Sequence, residues 1–237
     1  EIVGRSTYPV RGSTDPVDDE SPLKRRALYL PEEGGYARTP STFFYGTTDL
    51  REFTVEAWAR PEVPQMGRQQ VIVERPFYLP EGNPMLLDWG LRLNFRLGLN
   101  ANGQPFAAYN GLGSQLIFAE PESETQWIAR SNEWVHIAAT YEFQTTNQHG
   151  RLKLYIDGEL AATTISDEVP ATGFYGVDFV YYSTAPLVIG AADANPLGSI
   201  PEGLLGLPEP EDMFQGWIDE VRIWDGARTQ DDIVETM

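Results

Sequence analysis

The chain has 237 residues, of which 17 are Lys or Arg and 35 are Asp or Glu, so its net charge is −18, and it contains no cysteine. Without cysteine there can be no disulfide framework, zinc ribbon or cysteine nucleophile. The excess of acids argues against nucleic-acid binding through phosphate contacts and against adsorption to an anionic membrane. No apolar run is long enough for a transmembrane helix. We therefore expect no nucleic-acid partner and no direct membrane insertion.

Residues 1–25 are predicted to be an N-terminal tail or linker. The stretch 10–22 mixes turn-forming residues with charges and shows no sustained periodicity. A flexible connector to an upstream domain fits this composition, and an extended segment packed on the domain surface is the alternative. Residues 26–237 carry one continuous β-type pattern, and a sandwich of this length commonly forms a single domain.

Short apolar or alternating segments predict the strands of this domain. In 53–59, the residues Phe53, Val55, Ala57 and Ala59 alternate with others and are predicted to share one buried face. Asp157-Gly158 supplies the two positive φ angles of a tight hairpin. Further strands are predicted at 27–30, 91–99, 105–109, 134–141, 151–156, 186–189 and 214–224.

One helix is predicted, at residues 229–237. Thr229 is followed three residues later by Asp232, as in a capping box, and Ile233, Val234 and Met237 form an apolar stripe. Many strands and one short helix indicate an all-β, antiparallel sandwich.

The order of these segments resembles a known family. FTVEAWARPE, EWVHIAATYE, GRLKLYIDGEL and FQGWIDEVRIWDGARTQDDIVETM are similar to segments of the laminin-G-like jelly roll family, in the concanavalin-A-like lectin and glucanase group with its pentraxin relatives. The resemblance covers about residues 26–237. It implies an antiparallel two-sheet jelly-roll sandwich with a short C-terminal helix. It also implies a module of a larger secreted or surface protein, often bacterial, with carbohydrate ligands and structural Ca²⁺.

The resemblance suggests one calcium ion between the N-terminal strand and the last long strand. Calcium takes six to eight oxygen ligands, which mix carboxylates with backbone carbonyls. Asp219 is the predicted side-chain ligand, and backbone oxygens of the loop that contains Glu33 and Gly35 are predicted to complete the shell. The alternative is that Asp219 caps a turn or pairs with a base.

Aromatic side chains in connecting segments are the predicted ligand-binding residues, because sugar rings stack on Trp and Tyr through their C–H faces. These residues are Trp89, Trp127, Tyr175, Tyr181 and Tyr182. The alternative is that they fold back over sheet edges. The remaining tryptophans lie in predicted strands and are expected in the core: Trp58, Trp134, Trp217 and Trp224.

Two further polar features favour structural roles. Glu56 lies between apolar neighbours in a central strand, and a cross-strand ion pair with Arg222 is the expected arrangement. The functional alternative is that Glu56 projects into a ligand groove. His136 is expected to be a buried strand histidine with its hydrogen bonds satisfied.

No catalytic residue is predicted. Glycanases of the resembled group use closely spaced carboxylates on one strand. The chain has no Glu-x-Asp-x-x-Glu pattern of this kind and no Gly-x-Ser-x-Gly elbow. The leading hypothesis is a non-catalytic adhesion module, extracellular or on a bacterial surface, that recognises carbohydrate or a surface protein. An assembly domain that contacts neighbouring domains through the acidic segment 191–213 and a glycan-active hydrolase or lyase stay open as alternatives.

Overall fold

The computed structural model describes residues 2–3, 27–32, 34–39, 52–77, 92–110, 115–123, 126–144, 146, 149–168, 187–192 and 211–237. Within these residues, thirteen strands form two antiparallel sheets that enclose one main hydrophobic core. This arrangement confirms the predicted all-β, two-sheet jelly-roll sandwich.

The larger sheet has seven strands, in the spatial order β1-β3-β12-β5-β6-β7-β8. Their bounds are β1 Ile2–Val3, β3 Tyr36–Arg38, β5 Gln70–Phe77, β6 Arg92–Leu99, β7 Pro105–Asn110, β8 Leu116–Ala119 and β12 Val188–Ile189.

The smaller sheet has six strands, in the order β11-β10-β9-β4-β13-β2. Their bounds are β2 Leu28–Leu30, β4 Phe53–Pro61, β9 Val135–Gln144, β10 His149–Ile156, β11 Glu159–Ser166 and β13 Gly216–Asp225. β4 therefore lies at the centre of this sheet, between β9 and β13.

Alternation along β4 builds the core. Phe53, Val55, Ala57 and Ala59 are fully buried, which confirms the predicted face. The Phe53 ring lies 5.5 Å from the ring of Phe95 on the facing sheet. Burying one large apolar side chain in this way contributes about 1.5–3 kcal/mol. The residues between them on β4 point to the outer surface of the six-stranded sheet.

The predicted hairpin joins β10 to β11. Asp157 and Gly158 have φ angles of 50° and 78°, and Ile156 pairs with Glu159 across the turn. A Cβ atom at position 158 would lie 2.8 Å from the Cγ2 atom of Val234, so glycine is also required for packing against the C-terminal helix.

The predicted helix is present as α1, Gln230–Thr236, on the outer face of the six-stranded sheet. Its capping box is confirmed, because the Thr229 side chain accepts from the Asp232 amide and the Asp232 carboxylate accepts from the Thr229 amide. Ile233 packs against Ala138 and Tyr155 of the sheet. At seven residues, this one helix of the described chain is too short to cross a membrane.

Four strands were not predicted: β1, β3, β5 and β8. β1 lies within the predicted tail and pairs with β3, whereas the rest of 1–25 lies outside the described residues. β5 contains the β-branched run 71–73, but Pro76 interrupts the pattern at a shift in register with β6.

The prediction that the strand tryptophans lie in the core is wrong. Trp58 and Trp217 are partly exposed and Trp224 is 38% exposed. Each alternates with a core residue and so points to the outer surface of the six-stranded sheet. Trp134 is also partly exposed and immediately precedes β9.

Candidate ligand-binding site

A cleft of about 530 Å³ lies at one end of the six-stranded sheet. Its walls come from the segment between β8 and β9 and from the end of β10. Trp127 and Trp134 both line it and both are partly exposed, and Trp127 also packs against the main core. The cleft therefore combines two aromatic surfaces with access from solvent, as a small polar ligand with apolar faces requires.

Trp127 has an unusual backbone conformation. Its φ is 60°, in the left-handed region that bulky residues rarely adopt. Such a conformation costs about 1–2 kcal/mol and persists when the surroundings enforce it. The turn at Asn100–Gln104 does so, because the Gln104 Nε2 atom donates to the Gln126 carbonyl at 2.9 Å and the Ala129 amide donates to the Gly103 carbonyl at 2.9 Å.

The other end of this segment is held by β4 and the residues after it. The Asn132 amide donates to the Pro61 carbonyl at 2.7 Å, and the Arg60 Nε atom donates to the Asn132 carbonyl at 2.9 Å. The Ser131 hydroxyl donates to the Glu62 carbonyl at 2.5 Å. The segment that carries Trp127 is thus anchored at its two ends, and Trp134 follows the second anchor by two residues.

Polar groups also line the cleft. Arg130 and Glu133 have 78% and 61% exposed side chains, and a 3.4 Å contact joins the Arg130 Nη1 atom to the Glu133 Oε2 atom. Asp157 uses its Oδ1 atom to accept from the His136 amide at 2.9 Å. A guanidinium and two carboxylates can donate to and accept from hydroxyl groups.

Of the predicted aromatic ligand-binding residues, only Trp127 lies within the described part of the chain, and it lines the cleft. Trp89, Tyr175, Tyr181 and Tyr182 lie outside the described residues. Trp134, which is predicted to lie in the core, instead lines the cleft. Its position one residue before the inward-facing Val135 is the signal that could have placed it outside.

The predicted calcium ligands are not brought together as one described cluster. The Asp219 Oδ1 atom accepts from the Glu220 amide at 2.9 Å, at the register shift in β13. Gly34, next to Gly35, packs against Met213, which precedes β13, and Glu33 lies outside the described residues. Among the described residues, no group of three or more Asp, Glu or His side chains could hold a metal ion. Calcium binding stays a prediction.

A buried charged cluster lies beneath α1, near the cleft. The Arg222 Nη1 atom is 3.1 Å from the Glu56 Oε1 atom, directly across the β4–β13 ladder, which confirms the predicted ion pair. Arg228 adds a second contact to Glu56 at 3.8 Å. Glu56 itself is 0% exposed, so it does not project into an open groove.

His136 lies beside this cluster and corrects one expectation. It is buried, as predicted, but neither ring nitrogen has a hydrogen-bond partner among the described residues. Its Nε2 atom is 4.0 Å from the Glu56 Oε2 atom. Burial, and secondly the nearby Arg222 charge, lower the pKa of His136 to about 4. The imidazole is therefore neutral at pH 7.

Comparison with known structures supports the fold. The receptor binding domain of botulinum neurotoxin C/D mosaic serotype is 13% identical, with a TM-score of 0.56 over 100% of this chain and 45% of that one. The receptor binding domain of botulinum neurotoxin D is 14% identical, with a TM-score of 0.52 over 100% of this chain and 46% of the other. The chain thus spans less than half of each toxin domain.

A heptameric SAP-like pentraxin from Limulus polyphemus is 13% identical, with a TM-score of 0.44 over 79% of this chain and 71% of the pentraxin. No curated protein matches the sequence. One family model does match, over residues 31–234, and its description is the concanavalin A-like lectin/glucanases superfamily. Because the match covers most of the chain and agrees with its two antiparallel sheets, the protein belongs to the laminin-G-like family of the concanavalin A-like lectin/glucanase superfamily.

Proposed function

We propose that this domain is a non-catalytic carbohydrate-binding module that acts at a cell surface or in the extracellular space. The observation that carries the proposal is the cleft with Trp127 and Trp134 in its walls and Arg130, Glu133 and Asp157 beside them. Tryptophan rings offer flat apolar surfaces to the C–H faces of a sugar, and the charged groups offer hydrogen bonds to its hydroxyls. Membership of a superfamily of lectins and glucanases is consistent with a glycan ligand.

Binding without hydrolysis is supported by what the two carboxylates of the cleft do. Glycosidases need a pair of carboxyl groups that flank one glycosidic bond. Here Asp157 holds the backbone of β9 through the His136 amide, and Glu133 contacts Arg130. These carboxylates therefore have structural partners. Superfamily membership alone leaves hydrolysis open, because glucanases share the fold.

A glycan array tests the proposal, followed by calorimetry with each sugar that is retained. Trp134→Ala should lower affinity about tenfold, because one stacking surface is lost. Trp224→Ala is the matched control, since Trp224 is exposed elsewhere on the same sheet. Silence across broad neutral glycan classes, or equal affinities in the wild type and Trp134→Ala, would refute the proposal. Release of reducing sugar from a bound glycan would show that the domain hydrolyses glycans and is not a non-catalytic module.

A second candidate function, assembly with other protein chains, is favoured by β11. In the described part of the chain it is the outermost strand of its sheet, with eight residues, and 160–166 contains no charge or proline. Natural edge strands usually carry charged residues or prolines, which hinder pairing with a strand of another chain. Ile165 is 63% exposed. Light scattering over a range of concentrations tests this role: self-association that Ile165→Lys abolishes would support it, and a monomer at every concentration would count against self-assembly.

A further inference from the structure

A row of side chains crosses the six-stranded sheet and ends at the cleft. Tyr29 of β2 pairs with Trp217 of β13, and Trp217 pairs with Arg60 of β4. On the other side of β4, Ala59 pairs with Val135, so the register places Arg60 beside Trp134. Neighbouring strands lie about 4.8 Å apart, so the row extends roughly 14 Å from β2 to the wall of the cleft.

All four side chains of this row point to the outer surface. Their neighbours Leu30, Ile218, Ala59 and Val135 belong to the core, and successive residues of a strand point to opposite faces. Each member of the row is partly exposed. The row therefore presents aromatic surface to solvent on the same side of the sheet as Trp134.

The row has a defined geometry. The ring centroids of Tyr29 and Trp217 are 4.5 Å apart and their planes are inclined by 36°. Arg60 lies between the two tryptophans, and its Nε atom donates to the Asn132 carbonyl, so its guanidinium is tied to the segment that carries the cleft. Aromatic rings thus flank one multivalent hydrogen-bond donor.

On this basis we propose that the cleft and the row form one extended site for a neutral, linear oligosaccharide. This inference rests on the proposed function and deepens it. One sugar occupies the cleft against Trp127 and Trp134, the following unit passes Arg60, and further units stack on Trp217 and Tyr29. The site therefore recognises several consecutive sugar units of a chain and not a single terminal sugar.

Two features of the molecule favour this occupant. The row runs across the strands and presents side chains. The two strands at its middle, β4 and β13, each pair with a neighbouring strand on both sides, so an added β-strand cannot extend the sheet over them. The net charge of −18 disfavours a polyanionic chain and leaves a neutral glycan as the matching partner.

Calorimetry with linear glucose, mannose and galactose oligomers, from the monosaccharide to the hexasaccharide, tests the extended site. For the series that binds, affinity should rise with chain length through the first few units. Trp217→Ala should lower the affinity for the hexasaccharide about fivefold, because one ring contact is lost, and should leave the affinities for the mono- and disaccharide unchanged. Trp134→Ala should lower the affinity for oligomers of every length.

Trp224→Ala is the matched control, because Trp224 lies on the same strand and face but near α1. If Trp217→Ala does not fold, Tyr29→Ala provides the same test from the far end of the row. Affinity independent of length, or a Trp217→Ala variant that binds the hexasaccharide like Trp224→Ala, overturns the extended site and leaves the proposed function standing. Absence of binding by every oligomer overturns the extended site, and silence on the glycan array as well overturns the proposed function.

Discussion

Acid should destabilise this domain through His136. The side chain is 1% exposed, lies against Glu56, Arg222 and Trp58, and has no hydrogen-bond partner among the described residues for either nitrogen. Burial deprives a proton added there of solvation, and the proton would also produce a second cation close to Arg222. This explains why the pKa of His136 is lowered to about 4 from its ordinary value of 6.5.

The lowered pKa gives the sign of the effect. Between pH 6.5 and pH 4 the unfolded chain binds a proton at this histidine that the folded chain does not bind. The contribution of neutral His136 to stability is therefore fully present above pH 6.5 and is lost as the pH falls towards 4. The difference between the two pKa values corresponds to about 3 kcal/mol, a large part of the stability of an ordinary domain.

Comparison with His136→Gln isolates this contribution, because glutamine cannot titrate and keeps a hydrogen-bond donor. Urea unfolding of both proteins at intervals from pH 7.5 to pH 4 should show that the wild type loses about 2–3 kcal/mol more than the variant. His149→Gln, at an exposed position in β10, should follow the wild type. If the curves of the wild type and His136→Gln run parallel, the burial argument is wrong.

Three other outcomes are expected. Glu56→Gln should lower the free energy of unfolding by about 2 kcal/mol, because Arg228 loses its contact with a carboxylate and Arg222 keeps only that of Glu220. Glu133→Gln, in the exposed pair, should change it by less than about 0.5 kcal/mol. Gly158→Ala should destabilise the domain by about 1–2 kcal/mol, since the φ of residue 158 is 78° and an added Cβ atom would meet Val234. Urea unfolding measures the effects of Glu56→Gln and Gly158→Ala. An unchanged midpoint for either variant contradicts the prediction made for it. If Asp219 binds calcium, a chelator should lower the thermal midpoint and added calcium should restore it, and Asp219→Asn should abolish this response.

The alternation of β4 shows how far local pattern determines the fold. It predicts a core face at Phe53 and Val55, and by the same count it places Glu56 and Trp58 outside, opposite Arg222 and Asp219. The ion pair follows from this alternation, and so does the outer position of Trp58, which was predicted to lie in the core because it belongs to a strand. In strands, position outweighs residue type at such sites.

The candidate site depends on contacts that a linear pattern does not contain. Trp127 adopts a positive φ because Gly103 and Gln104, more than twenty residues earlier, hold the segment on both sides. Likewise, the missing hydrogen bonds of His136 depend on which groups β4 and β13 bring near it. Residue type predicts aromatic candidates, and the tertiary fold decides which of them share a cleft.

The position of Glu56 has a consequence for the order in which the chain can fold during synthesis. Its partner Arg222 lies 166 residues further along, and β4 lies between β9 and β13 in its sheet. Until β13 emerges from the ribosome, the central strand carries an uncompensated carboxylate and an open edge. Folding of this sheet is therefore expected to finish only after β13 has been synthesised.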